Sequence, residues 1–336
     1  MAGLLHLLSS NDSPAANTVG TSILYVDDQT DLVKDKCVDR LEAKAQQQAN
    51  STCEWLRANR MVVAPTKTKL LLASTREMAQ RRGLRRIRVV VDRHVVESTQ
   101  SEKLLGLTLD CHLTWTPHIR GEKWRKKGEN EPGLLRHLST RTTAVKRLMW
   151  SLSPKQLREY IDGTVNSTIQ YCLPVYSNAW GVGSGGALHK TLCTKDDLCR
   201  IQVLQNKALR CLLRRMDGTP WSELECLGVE ELTERTKMLS VNQMSVLSTI
   251  RLTRNILVTG KPKLVAQRLV LSGTRNNTLQ VRRSTSHQLM ITSEGFLERA
   301  TRLWNAVPSD IRRDLELDIF KGRIRKWVEV FCPRKP

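Results

Sequence analysis

Aromatic residues are scarce in this chain: Phe, Trp and Tyr together supply 4% of its 336 residues, with three Phe and four Tyr. The interior must therefore be aliphatic, and the 40% of hydrophobic residues are mainly Leu and Val. No apolar run approaches the ~18 residues that a membrane span needs, so a membrane role is not expected. The first eight residues are mildly apolar, but they lack a basic start and a small-residue cleavage site, which argues against a secretory signal. The nine cysteines are scattered and odd in number, and no Cys-x-x-Cys pair occurs, so a disulfide framework is not expected. Reduced thiols fit an intracellular protein, nuclear or cytoplasmic and not secreted. The tightest spacing, Cys193 to Cys199 with His189 nearby, is the most that a zinc site could draw on, and no zinc is expected there. Acidic residues are also few. Lys plus Arg number 54 against 33 for Asp plus Glu, a net charge of +21. A globular chain this basic faces a polyanion, and nucleic acid is the first expectation.

The length suffices for a real core and for two or three domains. No internal repeat and no low-complexity tract occurs. Residues 1–20 end in a turn-rich Asn-Asp-Ser-Pro stretch and read as a connector. From 35 to 58 there is no Pro or Gly, and Val38, Leu41, Ala45, Ala49, Cys53 and Leu56 recur at helical spacing, so one amphipathic helix is expected. Short strands are expected at 61–64, 70–72, 87–91, 94–97 and 104–109, with Asp92-Arg93 as a turn. After Pro117 the pattern turns helical: 134–148, 154–167, 198–213, one long helix over 232–256, then 294–305 and 309–331. The stretch 259–278 reads as a basic loop, and strands at 280–282 and 289–291 are expected to pair.

The organising stretch is Ser22-Ile23-Leu24-Tyr25-Val26-Asp27-Asp28-Gln29-Thr30. It reads as a buried strand, a tight turn with two carboxylates, and a returning strand. Asp tolerates turn geometry because its short side chain bonds locally. Two carboxylates there make a hard oxygen site suited to Mg²⁺, or simply a solvated acidic turn. Two further blocks come after it in order. One is Trp55-x-x-x-Asn59 with Pro65-Thr66-Lys67-Thr68-Lys69. The other is Lys103-Leu104-Leu105-Gly106-Leu107-x-Leu109-Asp110 with Leu113-Thr114-Trp115-x-x-His118-Ile119.

In this order the blocks resemble the second half of the palm and the start of the thumb of a reverse transcriptase, and the closest resemblance is to those of non-LTR (LINE-type) retrotransposons. The tail agrees: Arg302-Leu303-Trp304-Asn305-Ala306-Val307-Pro308-x-x-Ile311-Arg312 and Phe320-Lys321 resemble the end of the same reading frames. The resemblance is strong over 21–120, patchy over 121–280, and recovers over 294–325. It implies an α+β chain: a partial polymerase palm over 21–116 (a small antiparallel sheet plus a helix), a helical thumb-like region over 117–215, and a helical C-terminal region over 216–336.

The resemblance also implies roles. Asp27 matches the catalytic-turn aspartate that ligates both metals, and Asp28 its supporting neighbour. Tyr25 and Val26 match residues that support the primer end and the incoming nucleotide. Lys67 matches a lysine near the nucleotide phosphates, and a solvated lysine is the plainer alternative. Leu105-Gly106 matches the primer-grip hairpin, where glycine lets backbone approach nucleic acid. Trp115 and His118 would pack at the start of the thumb. Arg120, Lys123, Arg125, Lys126 and Lys127 would hold template–primer phosphates without reading sequence. The implied partners are an RNA template and a DNA primer, and the implied cofactor is a pair of Mg²⁺ ions.

Departures matter as well. Ala64 stands where the family usually has a second Asn, and Val26 where it usually has Ala. The two-metal reaction needs a further palm aspartate upstream, and only 26 residues precede Asp27 here. Asp12, among them, sits in the connector. The expectation is a truncated reverse transcriptase that does not polymerise alone. A basic nucleic-acid-binding module without chemistry, or a translated relic, is the alternative.

Overall fold

The computed structural model describes residues 2–8, 21–25, 28–74, 79–80, 86–121, 132–177, 193–271, 278–281, 296–314 and 316–335. The chain divides into two compact units, Met1–His118 and Ile119–Pro336. The fold is mixed α+β, with small open sheets and a mostly helical C-terminal region.

In the first unit, β1 (Ala2–Leu8), β2 (Thr21–Tyr25), β3 (Asp28–Lys34), β4 (Lys69–Ala73), β5 (Arg88–Val91) and β6 (His94–Thr99) form one sheet. Its order is β2-β3-β1-β4-β6-β5. Every pairing is antiparallel except β4 with β6. Residues 2–8, expected within a connector, thus form a strand between β3 and β4. Helix α1 (Val38–Ala58) packs on the sheet through Leu41, Ala45, Ala49, Cys53 and Leu56. The i, i+4, i+8 spacing puts these on one stripe. Leu41 and Leu56 are fully buried, each stabilising the packing by about 2 kcal/mol.

The end of α1 explains why 61–64 is not the strand its apolar residues suggest. Met61 N–H donates to Leu56 O and Arg60 N–H to Arg57 O, with Arg60 at φ 59°. This paired bonding with a left-handed residue closes the helix and turns the chain. The next four residues then only connect it to a tight turn, where Thr68 N–H donates to Ala64 O. The expected strand 104–109 is likewise two strands, β7 (Ser101–Leu104) and β8 (Leu107–Asp110), folded back on each other as a separate sheet.

The short α2 (Thr116–Arg120) spans the boundary between the units, and the second unit continues with α3 (Leu134–Leu148). Helix α4 (Pro154–Ile161) starts at a Ser153–Gln156 capping box and runs through a π-turn at Asp162–Asn166 into α5 (Ser167–Gln170). After α6 (Leu173–Tyr176) comes the long α7 (Lys195–Asp217). The single helix expected over 232–256 is two, α9 (Val229–Thr236) and α10 (Val241–Thr259), preceded by a short α8 (Trp221–Cys226). Lys237 at φ 53° ends α9, and Ser240 and Gln243 cap α10 reciprocally, which satisfies the free N–H groups of a new helix.

Helix α10 is buried on nearly every side, and polar side chains of α7 meet its start inside the core. Gln202 Oε1 accepts from Val241 N–H at 2.8 Å, and Gln205 Nε2 reaches Asn166 Oδ1 at 3.0 Å and Leu239 O at 2.9 Å. This network ties the π-turn, α7 and α10 together. The remaining elements are α11 (Lys263–Ala266), β9 (Leu269–Leu271), β10 (Leu279–Val281), α12 (Phe296–Ala306), α13 (Ser309–Arg312) and α14 (Leu317–Phe331). Trp304, Phe320, Ile324 and Val328 pack with Val246 and Ile250 in one core. β10 pairs with β9; its expected partner, 289–291, lies outside the described residues.

Candidate active site

Strands β2 and β3 pair on either side of the acidic stretch. Tyr25 pairs with Asp28, and β1 lies on the other side of β3 with Leu8 opposite Asp28. Val26 and Asp27, and the Tyr25 side chain, lie outside the described residues. Asp28 opens β3 and is half-buried. On the same strand Asp31 is fully buried. Three positions apart on a strand means opposite faces. Asp31 faces α1, where Thr52 Oγ1 lies 3.5 Å from its Oδ2, so Asp28 faces the other way. The Asp31 carboxylate also accepts from Ser22 Oγ and from Gln29 Nε2 at 3.0 and 3.2 Å. Burial pushes its pKa above the ordinary value, and the donors Ser22, Gln29 and Thr52 offset part of that.

Lys67 is exposed in the turn before β4. His6 pairs with Lys69, the first residue of β4, and the turn that carries Lys67 leads into that strand. Asp28 and Lys67 therefore stand at the same end of the sheet on either side of β1. Leu105 and Gly106 form the tip of the β7–β8 hairpin with φ of 47° and 82°, the geometry of a two-residue hairpin turn. The base of this hairpin is fixed to the far end of β4, where Ser74 N–H donates to Cys111 O at 2.8 Å. No strand pairing joins it to β3 among the described residues.

Asp110, which the sequence offers only as the end of a strand, shapes the turn after β8. It accepts from Thr114 N–H at 2.6 Å and from His112 N–H at 3.2 Å. Trp115 is buried, with its ring edge-on to His118 at 6.5 Å, and His118 Nδ1 lies 3.5 Å from Thr108 N. Both are packing residues.

Arg120, expected as a phosphate contact, is engaged with two acids of the same unit. Its Nε donates to Asp197 at 2.6 Å and its Nη2 to Asp196 at 3.0 Å. Lys123, Arg125, Lys126, Lys127 and His189 lie outside the described residues, as does Asp12. Cys193 is buried, and burial raises its thiol pKa far above the usual range.

Sequence reasoning passed over the buried Asp31 cluster. Its signal is the pair Gln48 and Thr52, two polar residues inside the apolar stripe of α1. Among the described residues no group of three or more His, Cys, Asp or Glu side chains is placed to hold a metal ion. No family model, no curated protein and no solved structure matches this chain.

Proposed function

We propose that this chain is part of a reverse transcriptase of the non-LTR retrotransposon type, one that binds nucleic acid and does not polymerise with its own residues alone. The supporting observation is the register around β3: an acidic hairpin backed by α1, with Asp28 and the Lys67 turn at one end of the sheet. In such enzymes a Mg²⁺ pair supplies charge neutralisation for in-line phosphoryl transfer, and carboxylates from two neighbouring strands hold it. Here β3 brings Asp28, with Asp27 next to it in sequence. The strands beyond it read Ala-Gly-Leu-Leu-His-Leu-Leu and Lys-Leu-Leu-Leu-Ala, with no carboxylate in either. The metal pair does not fit this set, and Asp31 cannot stand in because it faces α1. Recognition of a polyanion by a chain of net charge +21 remains.

The test is primer extension by the purified full chain on an RNA template with a DNA primer and Mg²⁺. The expected result is binding without extension, with log affinity falling linearly in log salt by about 0.9 per phosphate contact. Robust extension abolished by Asp27→Ala would overturn the reading. A second reading, a basic binding module unrelated to polymerases, is favoured by the excess of 54 Lys and Arg over 33 Asp and Glu. It predicts that Lys67→Ala leaves template–primer affinity unchanged.

A further inference from the structure

Trp150 stands just past the end of α3 with 64% of its surface exposed, in a chain where aromatics are rare. One of its faces is taken. The Arg214 guanidinium lies 5.8 Å from the Trp150 ring and 5.7 Å from the Trp221 ring, and Lys146 Nζ lies 5.9 Å from Trp221. The Arg214 guanidinium thus lies against both indoles, and Trp150 is the exposed one.

Among the described residues, the nearby arginines 210, 214 and 215 are fixed by carbonyls rather than by acids. Arg214 Nη1 donates to Thr219 O at 2.9 Å, Arg215 Nε to Leu152 O at 2.8 Å, and Arg210 Nε to Leu224 O at 2.7 Å. Carbonyl partners orient a guanidinium without cancelling its charge. Asp217 and Glu223, acids on neighbouring segments, are both engaged by Arg235, at 3.0 and 3.4 Å. Lys146 and Arg147 are exposed and enter no ion pair among the described residues. Beside Trp150, Arg147 also lines a groove of about 510 Å³ along α3 with the hydroxyls of Ser139 and Thr143.

We propose that Trp150, set among Lys146, Arg147, Arg214 and Arg215, is a stacking platform for an unpaired base of single-stranded nucleic acid, with the backbone phosphates on the flanking cations. An indole held by a guanidinium on one side is pre-ordered for a base on the other, and such platforms alternate π-faces with positive charge. Neither the acidic turn nor residues 120–127 enter into it. It does rest on nucleic acid being the partner.

The test uses the full chain, an end-labelled oligodeoxythymidylate of about 16 nucleotides and a duplex of the same length. Anisotropy and tryptophan fluorescence are read together. The single strand is expected to quench fluorescence, and Trp150→Ala to weaken its binding about tenfold while leaving duplex binding unchanged. Trp150→Phe should keep most of the affinity. Trp150→Leu, which keeps apolar bulk at the site, should lose as much as Trp150→Ala, separating stacking from packing. Arg147→Gln should lower the salt slope by about 0.7, and Trp150→Ala should not change it.

Single-strand binding indifferent to Trp150→Ala and Trp150→Leu would overturn the platform alone. Equal losses on single strand and duplex would do the same, as would equal quenching by vesicles of anionic lipid. A wild-type chain that bound neither probe would overturn the nucleic-acid reading with it.

Discussion

Arg120 and Asp197, separated by 77 positions, are joined by a 2.6 Å bond from Nε to Oδ1. Asp197 is 1% exposed and sits in the first turn of α7, where its backbone N–H donates to the Thr194 cap. Arg120 extends to Asp196 as well, so one guanidinium holds the start of the helix.

Removing that guanidinium leaves a buried carboxylate with the Thr194 hydroxyl as its remaining side-chain donor. Arg120→Ala should destabilise the protein by about 2–3 kcal/mol in urea titration. Arg120→Lys should recover part of this, since an ammonium cannot make both bonds in the same fork. Nucleic-acid affinity at equal folded fraction should change less for Arg120→Ala than for Arg147→Ala.

Gly133, just before α3, packs against the backbone of 119–121. A Cβ there would lie 2.1 Å from Gly121 N, 2.5 Å from Arg120 C and 2.6 Å from Ile119 O. Backbone cannot yield as a side-chain tip can. Gly133→Ala should therefore cost about 1–3 kcal/mol by overpacking, read as a lower thermal midpoint. Gly163, with nothing near its Cβ position, is the control.

The buried Asp31 gives stability a pH dependence of definite sign. Its folded pKa is raised above the usual 3.8. Below 3.8 both states hold the proton and the burial costs nothing. Above it the unfolded chain releases the proton while the fold resists, so stability falls as pH rises through the window from 3.8 to the raised folded value. Asp31→Asn should raise the melting temperature at neutral pH, and the gain should vanish in acid. A gain independent of pH would show that charge burial is not its cause.

Arg60 closes α1 in the left-handed region, φ 59°, with an exposed side chain. A side chain strains that conformation and glycine does not. Arg60→Gly should stabilise by about 0.5–1 kcal/mol in chemical denaturation, without altering nucleic-acid binding.

The elements with a strong local signal are legible in the sequence. The stripe Leu41, Ala45, Ala49, Cys53, Leu56 predicts α1, and 134–148 is helical as its pattern says. Asp92-Arg93 is a turn, both residues having positive φ. The break between α9 and α10 is written there too, as Ser240-x-x-Gln243, but the continuous apolar spacing over 232–256 masks it. Within the candidate site, the sequence singles out Asp28 and Lys67 but not that β1 lies between them. That depends on strand order, which periodicity does not carry.

The sequence by itself determined the aliphatic core, the basic charge, the pairing of β2 with β3 and most helices, because composition and short-range spacing act through local geometry and burial. Tertiary structure alone decided the uses of its charged and aromatic residues. Arg120 became a buried acid's partner, Asp31 went beneath the sheet, and Trp150 was left at the surface over Arg214. Each outcome depends on a residue 21 to 77 positions away or on another helix, and long-range pairing is where one chain pattern admits many arrangements.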